Sequence, residues 1–421
     1  MTTTILVVGL AVLAFGLLAG RLSGTPITMP MVFTAAGLVL GPGVLGIVEF
    51  GVGSEVVSVL AEATLVVVLF TDASRMDLRK VLGEHQLALR LLGFGLPLAV
   101  LVGVGVGLLL FPEMPVAAVA LLAVTLAPTD AALGQSFVGN DAVPLRIRQT
   151  LNVESGLNDG LAVPFLTVLL DVARDDTDSA LGYVGLVLQL VGLGVLVGAL
   201  TGWLGGRLLT WSSSRNWATG TTQRLATVAL AAIAYAGSEA VGGNGFVAAF
   251  TAGLVVGTTA RSLLPRTTGF AEAEGQLLTL LTFLLFGSVV VADIAGDLDW
   301  RTVAYAVASL ALVRPLAVAL SLLGSRVRVA TTGFIAWAGP RGLASIVYAV
   351  LVADSGIPGA DEVFQVAAWT IVLSIALHGL TAAPLSARYG AHMRHAGPGS
   401  PERSAVSHLP LRLPPDRDRD A

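Results

Sequence analysis

Apolar residues fall along this chain in long blocks, with polar residues gathered at the block edges, and that pattern predicts helices rather than strands. Thirteen blocks are long enough to span or half-span a bilayer, at about 3–20, 27–41, 54–72, 87–111, 115–137, 145–171, 179–210, 220–241, 243–260, 271–294, 302–323, 330–353 and 363–387. Inside lipid a backbone must satisfy its own N–H and C=O groups, so helices are the form such blocks take. The second and ninth blocks are short and rich in glycine.

Composition places the chain firmly in the membrane. Of 421 residues, 55% are hydrophobic and 12% charged, about half the ~25% charged share of a soluble domain. The 49 glycines fit closely packed membrane helices. Cysteine is absent, which excludes disulfides and thiolate metal sites. No cofactor is expected, and nothing suggests nucleic-acid binding. An enzyme is disfavoured, because no nucleophile–base set appears and the five histidines are scattered; His378 reads as a packing residue.

The basic residues give an orientation. Of 24 Lys and Arg, 14 lie in connections after odd-numbered segments and six more from Arg388 onward, whereas connections after even-numbered segments hold only Arg174 and Arg301. The positive-inside bias then sets the N-terminus outside and the C-terminus in the cytoplasm of a cell (plasma) membrane protein. The outer connections carry acids instead: Asp175, Asp176 and Asp178, then Asp361 and Glu362. No basic n-region precedes the first block, and Arg21 follows it, which argues against a cleaved signal peptide. Residues 1–390 read as one transmembrane domain, and 391–421, rich in Pro, Arg, Ser and Asp, as a disordered cytoplasmic tail.

Two segments are interrupted. The fifth contains Ala127-Pro-Thr-Asp130 and the twelfth Gly339-Pro-Arg-Gly342, and in each a proline removes a backbone donor beside an ionisable residue. Seven segments apart, they cross the membrane in opposite directions. Two inverted six-helix repeats follow, about 1–172 and 220–388, joined by a linker helix at 179–210, with helices 5 and 12 broken and crossed. Matched breaks of this kind point to a transport site at the bilayer midplane.

The sixth segment carries the chemistry. Asn152, Glu154, Ser155, Asn158 and Asp159 interrupt an otherwise apolar helix. A charged side chain at the bilayer centre costs about 2.5–3.5 kcal/mol on insertion scales, so such residues mark an ion or proton pathway. Ser155 and Asp159, four apart, share a face. Glu154 and Asp159, five apart, diverge by about 140° and are assigned different tasks. Asp159 and Ser155, with Thr129 and Asp130 from the fifth segment, offer hard oxygen ligands suited to a small alkali cation. Glu154 needs a fixed counter-charge, for which Arg314 is the first candidate and Arg341 the second. Asn158 reads as a supporting hydrogen-bonder.

In Ala127-Pro-Thr-Asp130, Asn152-Val-Glu-Ser-Gly-Leu-Asn-Asp-Gly160, Arg314-Pro315 and Gly339-Pro-Arg-Gly-Leu-Ala344, the chain resembles the NhaP-type sodium/proton antiporters of the monovalent cation–proton antiporter superfamily, over about residues 1–390. The resemblance implies that Asp159 alternately carries the cation and the proton, with Thr129, Asp130 and Ser155 around the ion. It implies electroneutral exchange from Asn158 preceding Asp159, and a homodimer embedded in lipid. A buried carboxylate holds a proton or a cation, not both: desolvation favours the protonated form and a bound cation the ionised one. Potassium/proton exchange needs the same residues. A sodium-coupled organic-anion symporter of similar fold is the second class, and a passive channel is disfavoured by the paired buried charges.

Overall fold

The computed structural model describes residues 2–22, 25, 27–47, 54–130, 133–174, 180–261, 264–291, 298–395, 397 and 399–409. Among them every regular element is helical. The helices are α1 (Thr2–Leu22), α2 (Met29–Leu40), α3 (Glu55–Arg75), α4 (Leu78–Glu84), α5 (Gln86–Leu110), α6 (Val116–Thr125), α7 (Gln135–Val138), α8 (Leu145–Arg174), α9 (Ala180–Ser214), α10 (Gly220–Ala240), α11 (Gly245–Thr259), α12 (Leu264–Leu285), α13 (Trp300–Ser321), α14 (Val329–Trp337), α15 (Leu343–Ala353) and α16 (Ala360–Arg394). Each apolar block of the sequence holds a helix or, at the two breaks, a pair of shorter ones. Among the described residues, six helices are long and apolar enough to cross a membrane by themselves: α3, α5, α8, α13, α16 and the part of α9 from Val184 on. The outer acids Asp175, Asp176 and Asp178 lie outside the described residues.

The helices pack in two sets. In one, α9, α10 and α12 surround α11 and α3, with α2 against α12. In the other, α5, α6, α8, α13, α14, α15 and α16 enclose the interrupted segments. The sets meet where α8 and α15 touch α3, where α8 touches α9 and α11, where α15 touches α12 and where α16 touches α2.

Glycines set the closest approach in the first set. Gly194, Gly198, Gly202 and Gly206 of α9 recur every four residues, so they line one stripe. A Cβ at any of them would run into Ala248, Ala252 or Thr259 of α11 or Asn244 at its N-cap. In lipid, helices associate through such close packing rather than by hiding apolar surface from water.

Two long helices contain a wide turn at matching places. In α5, residues Leu91–Gly95 are π-helical and Pro97 follows; in α13, Ser309–Val313 are π-helical and Pro315 follows. Proline cannot donate to the preceding turn, and a π-turn absorbs the lost bond without breaking the helix.

The C-terminal segment corrects the sequence reading. Residues expected to belong to a disordered tail from 391 onward instead extend α16 to Arg394 and then pack back on the helix ends of the second set near the start of α8 and α14. Glu402 is fully buried; its Oε1 accepts the Arg328 N–H at 2.8 Å and the Thr331 hydroxyl at 3.0 Å. Burial alone would raise its carboxyl, but these bonds and the Arg328 charge outweigh it and hold Glu402 below the usual range. Leu409 is buried, and its N–H donates to Gln149 Oε1 at 3.1 Å while Gln149 Nε2 returns a bond to the Leu409 carbonyl. The Ser407 N–H donates to Glu84, which lowers that carboxyl as well. A polar composition alone suggested disorder; one buried acid, meeting a main-chain N–H and a hydroxyl at the start of α14, reverses it. Residues 410–421 lie outside the described residues.

The stripe on α9 has a direct test. Gly198→Val should destabilise the protein by about 1–3 kcal/mol through overpacking, read as a lower thermal midpoint in detergent. Gly185→Val, on the same helix with nothing within 4 Å of a new Cβ, should leave the midpoint unchanged.

Candidate functional site

The site is built where the two breaks meet. Helix α6 ends at Thr125, and Pro128–Asp130 run non-helically; α14 ends at Trp337, and residues 339–342 do the same before α15 begins. The two stretches bond each other: the Asp130 N–H donates to the Pro340 carbonyl at 2.8 Å. Broken helices leave orphaned N–H and C=O groups at their inner ends, and two side chains exchange across the crossing to satisfy them. Asp130 Oδ2 accepts the Leu343 N–H at 2.6 Å, at the N-terminus of α15, and Oδ1 accepts the Leu133 N–H at 3.2 Å. Arg341 Nη1 donates to the Ala127 carbonyl at 2.7 Å and the Pro128 carbonyl at 3.1 Å, beyond the C-terminus of α6. Each charge faces the helix end of opposite polarity. Gly342 is required there, since a Cβ would overlap the Asp130 carboxylate.

Two sequence assignments gain main-chain partners on this geometry. Asp130, expected among the ion's oxygens, has both carboxylate oxygens accepting main-chain N–H groups, which ties it to the crossing. Arg341, second candidate to balance Glu154, serves main-chain carbonyls instead; a carbonyl partner leaves no mark in the sequence. Arg341 is also held by Ser374 of α16, whose Oγ accepts the Arg341 N–H at 2.7 Å.

Arg314 takes the role expected of it. Its Nη1 and Nη2 lie 2.9 and 3.2 Å from the two oxygens of Glu154, a bidentate pair with both side chains under a tenth exposed. Nη2 also donates to the Ile335 carbonyl in the last turn of α14, at 3.3 Å. The π-turn of α13 ends directly before Arg314 and sets the helical phase from which it reaches Glu154. Gly339 leaves room for the guanidinium, because a Cβ would overlap it.

Asp159 stands midway along α8, buried, one turn beyond Ser155. The Ser155 and Thr129 hydroxyls lie 3.1 Å apart, and Asn158 Nδ2 donates to Thr129 Oγ1 at 2.7 Å. Asn158 Oδ1 is buried without a hydrogen bond. Thr129, Ser155 and Asn158 thus form one polar cluster between α8 and the first break, with Asp159 adjacent in the chain. Sequence reasoning missed Tyr348: fully buried on α15, its hydroxyl donates to the Asp159 main-chain carbonyl at 2.6 Å. The available signal was a lone phenol in an apolar half-helix, which must find a partner. His378 packs as expected, stacked on Trp337 at 5.0 Å between centroids and bonded to Ser374.

Residues 6–388 match the transmembrane sodium/hydrogen exchanger family. The K(+)/H(+) antiporter NhaP2 of Shewanella oneidensis is 30% identical over 259 residues, 60% of this chain and 44% of that protein. The K(+)/H(+) antiporter NhaP of Alkalimonas amylolytica is 27% identical over 388 residues, 91% of this chain and 66% of that protein. This chain therefore spans between about half and two thirds of the length of these relatives. The sodium proton antiporter MjNhaP1 of Methanocaldococcus jannaschii shares the fold, with a TM-score of 0.75 over 92% of this chain and 99% of that one at 20% identity. With 383 consecutive residues matched and the crossed breaks in place, the chain belongs to the sodium/hydrogen exchanger family of integral membrane proteins.

Proposed function

We propose that this protein exchanges a monovalent cation for a proton across the cell membrane, with Asp159 binding one or the other. What supports this reading is the Thr129–Ser155–Asn158 cluster at the crossing of two interrupted helices, with Asp159 next in the chain after Asn158 and one turn beyond Ser155. The cluster supplies hydroxyl and amide oxygens, hard donors matched to an alkali ion. A proton on the Asp159 carboxyl removes the charge that draws the cation; a bound cation disfavours the proton. Competition at one group is exchange, provided the group meets each side in turn.

The matching π-turns and prolines of α5 and α13, together with the matching breaks, support two inverted six-helix repeats and thirteen spans, with α9 as the linker. The distribution of arginines supports an outside N-terminus and a cytoplasmic C-terminus. A homodimer in the lipid remains part of the proposal through family resemblance. Sodium is the first candidate for the ion; potassium is the second, favoured by the names of the two relatives. One group changing charge, with Asn158 rather than an acid beside it, supports one-for-one exchange.

In proteoliposomes, Asp159→Asn should reduce cation-driven proton movement to background, and near-normal exchange would remove the mechanism. Running the wild type against sodium, lithium and potassium gradients identifies the ion; labelled organic-anion uptake in place of proton movement would favour the symporter. An imposed membrane potential should leave the exchange rate unchanged, and a steep voltage response would rule out one-for-one stoichiometry. Glu154→Gln should cost about 3–5 kcal/mol by leaving a buried guanidinium without its acid. Adding Arg314→Gln should recover part of that loss in thermal midpoint, and strictly additive losses would deny the pair.

A further inference from the structure

A second concave site lies at the cytoplasmic ends of the helices, away from Asp159. A cavity of about 580 Å³ opens between the start of α8, the end of α16 and the C-terminal segment. Four arginines line it, Arg146, Arg148, Arg394 and Arg403, against two acids, Asp141 and Glu402. The local sum is two positive charges. We propose that this cavity binds a phosphate-bearing anion.

The guanidiniums are only lightly used. Arg146 Nη1 donates to the Pro401 carbonyl and Arg403 Nη2 to the Met393 carbonyl at 2.8 Å, so both are anchored on main chain rather than on acids. Arg148 meets Asp141 at 2.8 Å, but the Asp141 side chain is 94% exposed, and Arg148 Nε is buried without a hydrogen bond. Arg394 is exposed and forms no ion pair among the described residues. Each guanidinium carries five donors, and Arg146, Arg148 and Arg403 each spend one on the bonds above. Glu402 Oε1 is engaged by the Arg328 N–H and the Thr331 hydroxyl, and its Oε2 is buried without a hydrogen bond.

Helix polarity sharpens the point. The first turn of α8 holds no acid and two arginines, although the N-terminus of a helix carries partial positive charge. Two cations set against that end repel it, and an anion between them would satisfy both. Arg394 in the last turn of α16 and Arg403 complete a ring drawn from three elements. A phosphate monoester carries about −1.5 to −2 charge and three acceptor oxygens, matching both the charge and the planar forks of several arginines. A lipid phosphodiester presents a related anion, singly charged and with two free oxygens, from the membrane surface. The volume exceeds what one phosphate needs, so the bound species has room for an organic moiety.

The test uses the full chain in phosphatidylcholine nanodiscs at constant ionic strength. Inorganic phosphate, titrated by calorimetry, should bind at one saturable site. Arg394→Gln and Arg148→Gln should each raise its Kd about tenfold, the loss expected for one charge-assisted contact. Arg207→Gln, on α9 and outside the cavity, should leave it unchanged. If phosphate gives no heat, nanodiscs containing phosphatidylglycerol decide the source: one phosphatidylglycerol retained per protein in native mass spectrometry, and lost in Arg394→Gln, assigns the site to a lipid headgroup. Absence of both, or binding that neither cavity variant weakens, overturns the proposal. Arg394 is exposed, so its variant should keep the wild-type thermal midpoint, and that measurement separates lost binding from lost folding.

Discussion

The structure depends on satisfying broken backbone in a dry place. Each interrupted helix exposes N–H and C=O groups that lipid cannot bond, at several kcal/mol apiece if left alone. The two breaks solve this reciprocally. Asp130, from the first break, accepts N–H groups at the start of α15; Arg341, from the second, donates to carbonyls past the end of α6. Neither break is satisfied without the other, and the two opposite charges cancel in formal sum. Ser374 fixes Arg341 from α16, and Tyr348 ties α15 to the Asp159 carbonyl. The crossing is therefore a rigid frame, and the polar cluster hangs on it.

Glu154 and Arg314 form a second neutral unit beside the first. A buried ion pair gains little over apolar packing, because both ions are desolvated, and removing one partner is far more costly than replacing both. Its value here is positional. It joins α8 to α13, and through the Ile335 carbonyl to α14. These four charges balance two by two, and under the proposed exchange the change of charge falls on Asp159, outside both pairs.

The sequence made the frame legible where side chains speak to side chains. Pro128, Gly339 and Pro340 marked the breaks, and the cost of a lone acid in lipid sent Glu154 to Arg314. It was silent where the partner is main chain. Nothing in an Asp or Arg code says whether it will meet a carbonyl, an N–H or an ion, so the tasks of Asp130 and Arg341 needed coordinates. The same holds for Glu402, whose flanking prolines and arginines read as disorder until the start of α14 supplied its donors. The α9 glycines were visible as composition, but only the depth of α11 against them shows which face they serve.

How the site could move follows from where the polar bonds stop. Every hydrogen bond described for Thr129, Asp130, Glu154, Ser155, Asn158, Arg314 and Arg341 ends within the second helix set. The C-terminal segment also binds inside that set, through Gln149, Arg328 and Thr331. At the level of Asp159 the boundary with the first set is apolar: Gly160 lies against the ring of Phe250 on α11, and Gly156 against Met76. Ser58, which does bridge to Asp354, is half-buried at the rim of the helices, and Asp354 is exposed, so water can take over the bond. Dispersion contacts at a smooth face can re-form in a shifted register at small cost, whereas the buried crossing cannot open without stranding charges. A displacement that carries Asp159 toward one side or the other should therefore move the second set as a unit past α3 and α11, with the crossing intact.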